Sequence, residues 1–516
     1  MDLLGRALLW LCVGTGAWSA ADARAQEPPA LAELERPSFE YLHPNPPNYT
    51  RGALEQVVLL GLGFAQYVAN HDLNSLDWDF GYTWNGLRDK LSPSGYSYDT
   101  NGFDTNFIRH PAAGTTYYWA ARNNRWTMLE SLAAAFTSSI VWEYIGELRE
   151  RASLNDILVT PLTGMVLGEL TIQLGAFFDR SCDLTSNRVL GALLGPTKTL
   201  HDLLDGATPL REQQCDRYGL SQRGEHRFEV AISAGVVSTI AGPRVGARPW
   251  TRLDLHTQIF AIESYGRAGE GTRHFSDGNV SELRLNGSFA GEYWNDFSLR
   301  GVIMPLGLHQ RSLDQDGSSV RGYEVLFGLV LATEYTVHRF GDWPGPTRQV
   351  DRYFELDVPG ARLRYRRHWG ELTLTLELQA AAVFLGVDAL ALPAVRALPE
   401  PPTLPTVTDA ERYTYGIGLR VQPYATLSYR NFQLGAELAG VRSSDITVND
   451  RLAERPDYAQ GNELRAVARL WLSAGPDSWP ARLTLHGSWL HRAGKLGSVR
   501  AQRAELMAAA GLSVAF

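Results

Sequence analysis

The second half of the chain alternates apolar and polar residues, one by one, in segment after segment. In residues 252–259, Leu253, Leu255, Thr257 and Ile259 alternate with charged or amide side chains. The same alternation returns in residues 282–289, 371–378, 463–470 and 482–489. A period of two with one apolar and one polar face predicts β-strands that contact water on one side only.

The last strand favours a membrane barrel over a soluble sandwich. Counting back by twos from Phe516 gives Val514, Leu512, Ala510, Ala508 and Leu506. A terminal aromatic residue on such a strand resembles the C-terminal signature by which outer-membrane proteins are recognised for assembly. About twelve strands fit between His226 and the end of the chain, and bacterial barrels have an even number.

The first half of the chain has helical patterns instead. Residues 54–69 are apolar, and Thr127 with Glu130 forms a capping box before a second apolar run. Ser153 and Asp156 predict another helix start, and Thr160 followed by Pro161 predicts a further one, opening a helix over residues 162–178. We therefore predict an α+β protein, with a helical domain at residues 51–222 and an antiparallel transmembrane β-barrel at residues 223–516.

The N-terminus has the pattern of a signal peptide. A short basic stretch ends at Arg6, an apolar run follows over residues 7–20, and Ala23 to Ala25 form an A-x-A cleavage site. We assign residues 1–25 to the signal peptide and residues 26–50 to a proline-rich linker. The expected location is the bacterial outer membrane, with the helical domain in the periplasm or in the mouth of the barrel.

Composition and charge limit the classes of function. Hydrophobic residues make up 44% and charged residues 20% of the 516 residues, which is too polar for a bundle of membrane helices but suits a barrel. The net charge of −8 argues against a nucleic-acid partner. The expected partners are outer-membrane lipid and the barrel-assembly machinery, which would bind the strand that ends in Phe516.

One pair of strands predicts a charged barrel interior. Arg362, Arg364, Arg366 and His368 share one face of a strand, and the next strand presents Glu371 and Glu377. Two interpretations follow: a lumen whose charges pair with each other and make the barrel rigid, which we favour, or a selective pore for a charged solute.

The apolar run over residues 162–178 is nearly long enough to cross a bilayer. Glu169 lies in its middle, and a carboxylate is costly at the centre of a membrane. We therefore expect a buried core helix rather than a membrane span. Gly164 and Gly168 predict close packing of this helix against a neighbour.

Several polar residues of the helical domain need partners. Glu143 and Glu147 lie one helical turn apart in apolar sequence, and Glu169 is similarly placed. Buried carboxylates must be paired, hydrogen-bonded or protonated. The favoured account is a structural network between helices; the alternative is acid–base chemistry on a lipid or glycan ester. The candidate catalytic residues are His110, Glu143, Glu147, Asp156 and Glu169, and the candidate binding residues are Asn106, Arg109, Arg122 and Asn155.

Other chemistry is weakly supported. Cys182 and Cys215 remain after removal of the signal peptide; a bond between them would close a loop of about 34 residues and stabilise the fold by roughly 3 to 4 kcal/mol. Asp99, Asn101 and Asp104 offer oxygen ligands but lack the spacing of a calcium loop. The chain has no G-x-S-x-G or H-E-x-x-H motif, so we expect no cofactor and assign no metal site.

Five motifs of the helical domain together resemble an uncharacterised bacterial family, catalogued only as a domain of unknown function. They are NFIRHP from Asn106, GTTYYWAARNN from Gly114, WEY from Trp142, SLND from Ser153 and TPLTGMVLGE from Thr160. The resemblance covers about residues 98–195. It implies a cell-envelope protein, points to His110, Arg122, Glu143, Asp156 and Glu169, and brings no known reaction. Three hypotheses remain: a non-enzymatic envelope protein, which we favour, a lipid- or cell-wall-modifying hydrolase, and a pore.

Overall fold

The structure is a computed structural model. It describes residues 33–35, 37, 40–43, 45–70, 83–92, 95–147, 149–241, 244–290, 293–317, 319–340, 349–447, 458–476 and 480–515. The predicted signal peptide and the terminal Phe516 lie outside these residues, as does part of the predicted linker.

The helices precede the barrel, apart from two short ones in a loop between strands. Their bounds are α1 (Tyr49–Asn70), α2 (Trp84–Lys90), α3 (His110–Arg122), α4 (Met128–Val141), α5 (Leu154–Arg180), α6 (Thr185–Leu194), α7 (Pro196–Asp205), α8 (Leu392–Arg396) and α9 (Thr406–Ala410). Two π-helical segments join them: Thr105–Arg109 leads into α3, and Trp142–Gly146 follows α4.

The strands are mostly long. Their bounds are β1 (Glu33–Leu34), β2 (Tyr96–Ser97), β3 (Ala152–Ser153), β4 (Glu225–Ala241), β5 (Arg244–Phe260), β6 (Gly269–Phe275), β7 (Val280–Ala290), β8 (Tyr293–Asp316), β9 (Ser319–Phe340), β10 (Gln349–Gly370), β11 (Leu372–Asp388), β12 (Tyr413–Tyr429), β13 (Phe432–Asp445), β14 (Gly461–Ala474), β15 (Ala481–Leu496) and β16 (Val499–Ala515). The short β2 and β3 pair with each other, in parallel.

Twelve antiparallel strands close into a barrel. They are β4, β5 and β7 to β16, and pairing of β16 with β4 completes the ring. The twelve-stranded barrel preceded by helices confirms the predicted fold. Residues 266–279, between β5 and β7, contain β6, which pairs with the end of β8 beyond β7 and so extends the wall at that point.

The alternating pattern sorts the barrel residues as predicted. Leu253, Leu483 and Leu512 face outward and are more than half exposed, as expected where lipid would surround the wall. Arginine, histidine and carboxylate side chains occupy the alternate, lumen-facing positions. Glu371 differs from the prediction: it lies beyond the lumen, at the turn before β11, where its carboxylate accepts a hydrogen bond from Arg430 at 2.6 Å.

Ion pairs join strands on opposite sides of the lumen. Arg284 on β7 reaches Glu437 on β13 at 2.9 Å, and His338 on β9 lies 2.8 Å from Glu505 on β16. Within one hairpin, Arg362 lies 2.7 Å from Glu377, and it also reaches Glu282 across the lumen at 3.0 Å. These contacts support the interpretation of a lumen whose charges pair with each other.

The helices pack on the outer face of the barrel. On β8, Gly301 and Ile303 alternate with the lumen-facing Arg300, and a Cβ atom on Gly301 would lie 2.5 Å from the Leu170 side chain of α5. The wall residues covered in this way form a stripe that runs obliquely across the strands from β4 to β12. We call it the covered stripe: Phe228, Ile259, Leu283, Ile303, Leu331, Phe354, Phe384 and Tyr415.

Helix α5 is continuous through residues 154–180, so the predicted new helix start at Thr160 and Pro161 is wrong. Proline removes one backbone hydrogen bond from a helix, but burial between the barrel and the other helices compensates for that loss. The caps at Thr127 and Ser153 form as predicted, each through its side-chain oxygen. In an 18-residue window of α5, 78% of the residues are buried, which confirms the expected core helix.

Close approach explains the glycines of α5. A Cβ atom on Gly164 would lie 2.3 Å from the backbone carbon of Gly114 on α3, and one on Gly168 would lie 2.7 Å from the Tyr118 ring. At the other end of α5, Cys182 and Cys215 form a disulfide with their Cα atoms 6.0 Å apart. Both features hold α5 to the rest of the helical domain.

Candidate functional site

The predicted site residues fall into two separate clusters along α5. Asp156 lies near the start of this helix and Glu169 lies thirteen residues later. At 1.5 Å of rise per residue the two carboxylates are about 20 Å apart along the axis. The structure therefore does not bring Glu169 to His110, and the two clusters must be considered one at a time.

The first cluster, which we call the His110 cluster, consists of Asp99, His110, Glu143 and Asp156. The Nε2 atom of His110 lies 3.7 Å from the Oδ2 atom of Asp156. One ligand atom from each of Asp99, His110 and Asp156 lies within 4.8 Å of the other two. The four residues come from a loop, the start of α3, a π-helical segment and the start of α5.

Local backbone geometry places these residues. His110 follows the π-helical segment that begins at Thr105, and Glu143 lies within the second π-helical segment. Such segments widen a helix by one residue per turn and are frequent at functional sites. Ser153 caps α5 through its hydroxyl, which accepts the Asp156 N–H at 3.2 Å. The cap orients the first turn of α5, and Asp156 with it.

Hydrogen bonds hold the carboxylates of the cluster. The Asn155 amide donates to Asp156 Oδ1 at 2.8 Å, while its oxygen accepts the backbone N–H of Asp99 at 2.9 Å. The Ser153 N–H donates to Glu143 Oε2 at 2.7 Å. The other oxygen of Glu143, Oε1, is buried and has no hydrogen-bond partner in the part of the chain that the structure describes. Asn155 and Ser153 thus fix the orientation of three carboxylate-bearing elements.

The barrel wall itself supports the loop that carries Asp99. The Tyr415 hydroxyl donates to the Asp99 carbonyl oxygen at 2.9 Å, and the Tyr413 hydroxyl donates to that of Asn101 at 2.8 Å. Asn106 donates to both hydroxyls, at 2.8 and 2.7 Å. The predicted binding residue Asn106 is therefore a contact between the helical domain and the barrel.

Several acidic side chains lie around His110, and burial shifts their pKa values. Burial raises the pKa of Glu143 well above its ordinary value, and the nearby carboxylate of Glu147 raises it further. Burial, with Glu150 and Asp99 nearby, raises the pKa of Glu147 to about 8. Burial also lowers the pKa of His110, against the opposing effect of Asp99. The Lys90 ammonium donates to backbone carbonyl oxygens of Glu143 and Glu147.

The second cluster, around Glu169, is fully paired. Arg122 donates from Nε to Glu169 Oε2 at 3.0 Å, and Tyr118 donates to the same oxygen at 2.6 Å. Gln173 donates to Oε1 at 2.6 Å, and Arg122 also reaches Asp277 in the turn between β6 and β7 at 2.5 Å. This network joins α3, α5 and the turn between β6 and β7.

The other candidates are less central. Arg109 is exposed, and Glu147 accepts a hydrogen bond from the Trp142 indole at 3.0 Å. The sequence analysis missed Tyr413 and Tyr415. The two tyrosines alternate in the segment YTY, at positions where other strands carry leucine or valine. This pattern was the signal for outward-facing side chains whose hydroxyls need hydrogen-bond partners.

The arrangement gives little access to a substrate. Glu143 is fully buried and Asp156 is 2% exposed, whereas His110 keeps 17% of its side chain accessible. A general acid or base must come within hydrogen-bond reach of its substrate. The geometry is better suited to holding elements together than to acid–base catalysis on a bulky ester.

Taken together, the wall and lumen define an outer-membrane type of β-barrel: twelve closed strands, an apolar outward face and a charged interior. Residues 95–197 match the model of a family described as "Domain of unknown function (DUF3943)". This match includes all four residues of the His110 cluster and, from the second cluster, Tyr118, Arg122, Glu169 and Gln173. Comparison with curated proteins found no match.

Solved structures with similarity to the chain include a porin, an outer-membrane protein and an autotransporter translocator domain. The NanC porin is 8% identical, with 56% of this chain and 98% of that chain covered and a TM-score of 0.23. OmpT of Vibrio cholerae is 8% identical, with 57% and 99% covered and a TM-score of 0.20. The translocator domain of the autotransporter NalP from Neisseria meningitidis is 14% identical, with 58% and 91% covered and a TM-score of 0.19.

Proposed function

We propose that this outer-membrane protein holds its helical domain in the bilayer, beside the barrel, and that its role there is non-enzymatic. The observation that carries the proposal is the apolar surface of α1. Four apolar side chains of this helix are each at least 58% exposed: Leu54, Val57, Val58 and Leu62. The helix is also long and apolar enough to cross a membrane. Lipid is the environment in which such a surface is stable.

The covered stripe supports the same placement. Outside it, outward residues such as Ile417, Leu419 and Leu438 are exposed and would contact lipid. Inside it, α5 takes the place of lipid against the same face of the wall. A helical domain that covers the lipid-facing side of a barrel, and has an apolar surface of its own, fits the bilayer better than the aqueous periplasm.

Loop lengths support an orientation. The strand ends at Gly370, Tyr429 and Asp316 lead into tight turns, on the same rim as the two ends of the barrel at Glu225 and Ala515. The longest connection between the described barrel strands, from Asp388 to Tyr413, lies on the opposite rim. Short turns face the periplasm in outer-membrane barrels, so we place Glu225 and Ala515 at the periplasmic rim. The strand that leads to Phe516 would then be available to the barrel-assembly machinery.

Fluorescence quenching tests the proposed placement. A bimane label on V58C in α1 should be quenched by brominated acyl chains and protected from aqueous iodide, with the protein in nanodiscs. A label on D316C, at the exposed turn after β8, serves as the control and should show the reverse. Quenching of the Val58 label by iodide, as strong as that of the Asp316 label, would remove α1 from the bilayer.

A further inference from the structure

The His110 cluster has the composition of a metal site. Asp99 and Asp156 supply carboxylate oxygens and His110 supplies Nε2, and these three atoms lie within 4.8 Å of one another. They come from three elements that are distant in sequence: the loop after β2, the start of α3 and the start of α5. A convergence of this kind brings together ligand types that bind divalent metal ions.

The spacing is close to that of a bound ion. At metal–ligand distances of about 2.1 Å, two ligands in tetrahedral arrangement are about 3.4 Å apart. His110 Nε2 and Asp156 Oδ2 are separated by 3.7 Å. A shift of a few tenths of an ångström, within reach of side-chain rotation, would bring both atoms to coordinating distance.

Glu143 is a second and independent indication. Its side chain is 0% exposed, one oxygen is fixed by the Ser153 N–H, and the other, Oε1, has no hydrogen-bond partner among the residues that the structure describes. An unpaired, buried carboxylate oxygen is costly, and a cation would satisfy it.

The contrast with Glu169 strengthens the argument. The Glu169 carboxylate is paired with the Arg122 guanidinium, at 3.0 Å. Within the part of the chain that the structure describes, neither Glu143 nor Asp156 forms an ion pair with an arginine or lysine side chain. Residues 95–197 thus contain one buried carboxylate that is paired with an arginine and, among the described residues, two that have no arginine or lysine side chain as partner.

The ligands favour a transition metal over calcium or magnesium. Imidazole suits zinc and other transition metals, whereas calcium and magnesium take oxygen ligands. The outer contacts also fit: the Asn155 amide donates to Asp156 Oδ1 and leaves Oδ2 directed at His110. Hydrogen bonds of this kind orient the ligands of protein metal sites.

We propose that Asp99, His110 and Asp156 bind one divalent transition metal ion, Zn²⁺ or Mn²⁺, beside the buried carboxylate of Glu143. The ion joins the loop after β2, the start of α3 and the start of α5 at the point where Tyr415 attaches the domain to the barrel. This inference is independent of the proposed placement in the bilayer, because the cluster has the same ligands in either environment.

Titration of the full chain in detergent tests the site. Protein stripped with EDTA and dialysed should bind one equivalent of Zn²⁺ or Mn²⁺ by calorimetry, and Co²⁺ should give visible absorption bands of an ion bound to nitrogen and oxygen. Hydrogen exchange at the start of α5 should slow when Zn²⁺ or Mn²⁺ is added. Absence of binding to the wild-type protein overturns the proposal, whatever the variants do.

Variants then identify the ligands. D99N and H110Q keep the size of the side chains, and each should weaken binding at least tenfold. D183N, which changes an exposed carboxylate of the same domain, should bind as the wild type does. Heat-modifiable migration of each variant shows whether the barrel is folded. Unchanged affinity in folded D99N and H110Q protein, or binding of Ca²⁺ alone, would contradict the assignment.

Discussion

The hydroxyl of Tyr415, on the outer face of the barrel, donates a hydrogen bond to the backbone carbonyl oxygen of Asp99 at 2.9 Å. This contact links the wall to the loop that carries a residue of the His110 cluster. Tyr98, next to Asp99, stacks on the Tyr415 ring with their centroids 5.1 Å apart. The barrel is therefore part of the support of the cluster as well as an anchor in the membrane.

Removal of the Tyr415 hydroxyl should loosen that loop. Y415F removes the hydrogen bond from the Tyr415 hydroxyl to the Asp99 carbonyl oxygen, and loss of a hydrogen bond in a buried position costs about 1 to 3 kcal/mol. We expect faster hydrogen exchange over residues 98–107. Y429F, which changes an exposed tyrosine at the other end of β12, is the control and should exchange as the wild type does. Equal exchange in the two variants would show that the contact does not hold the loop.

The Arg122–Glu169 pair predicts a strongly non-additive pair of substitutions. R122M leaves the Glu169 carboxylate buried without a cation, and breaking a buried pair in this way costs about 3 to 5 kcal/mol. Adding E169L removes the uncompensated charge, so the double variant should be more stable than R122M alone. Urea titrations of α5 hydrogen exchange measure both. A double variant less stable than R122M would mean that other charges also interact with this ion pair.

The disulfide should stabilise the end of α5. Replacement of Cys182 and Cys215 by serine opens a loop of sequence separation 33, which includes α6 and α7. The chain-entropy argument predicts a loss of about 3 to 4 kcal/mol. Thermal unfolding of the helical domain should move to lower temperature, and dithiothreitol should have the same effect on the wild type. A dithiothreitol effect that persists in the double serine variant would assign the loss to another cause.

The cross-lumen ion pairs predict a protein without an open channel. Arg284 and Glu437 meet across the barrel, as do His338 and Glu505, and such contacts occupy the path that a solute would take. Purified protein in planar bilayers should give no single-channel currents. The variant R284A should also give no single-channel currents, because the other ion pairs remain. Regular conductance steps from the wild type would revive the hypothesis of a pore.

The barrel could be predicted from the sequence because its signal is periodic. Outward leucines such as Leu253 and Leu483 alternate with charged residues, and one period of two is repeated over many strands. The helix start predicted at Thr160, inside α5, was wrong for the opposite reason. Local preference at Pro161 favours a helix start, and only burial of the whole helix against the barrel overrides it.

The sequence predicts which residues need partners, but it does not predict how these residues are grouped in space. Buried carboxylates in apolar sequence mark Glu143 and Glu169 as residues that need partners. Which partner each one has depends on tertiary distance: Arg122 lies beside Glu169, and His110 lies beside Asp156 instead. The contribution of Tyr415, more than 300 positions after Asp99, depends on docking that no local pattern contains.

The helical domain lies on the outward face of the barrel. A steric test addresses this arrangement directly. Gly301 and Gly440 both face outward on the wall, but a Cβ atom on Gly301 would lie 2.5 Å from Leu170, whereas Gly440 has open space around it. Each is changed to tryptophan, and hydrogen exchange of α5 is measured in protein with a folded barrel. We expect G301W to expose the α5 amides to hydrogen exchange and G440W to leave them protected. Equal protection in both variants would contradict docking on the wall.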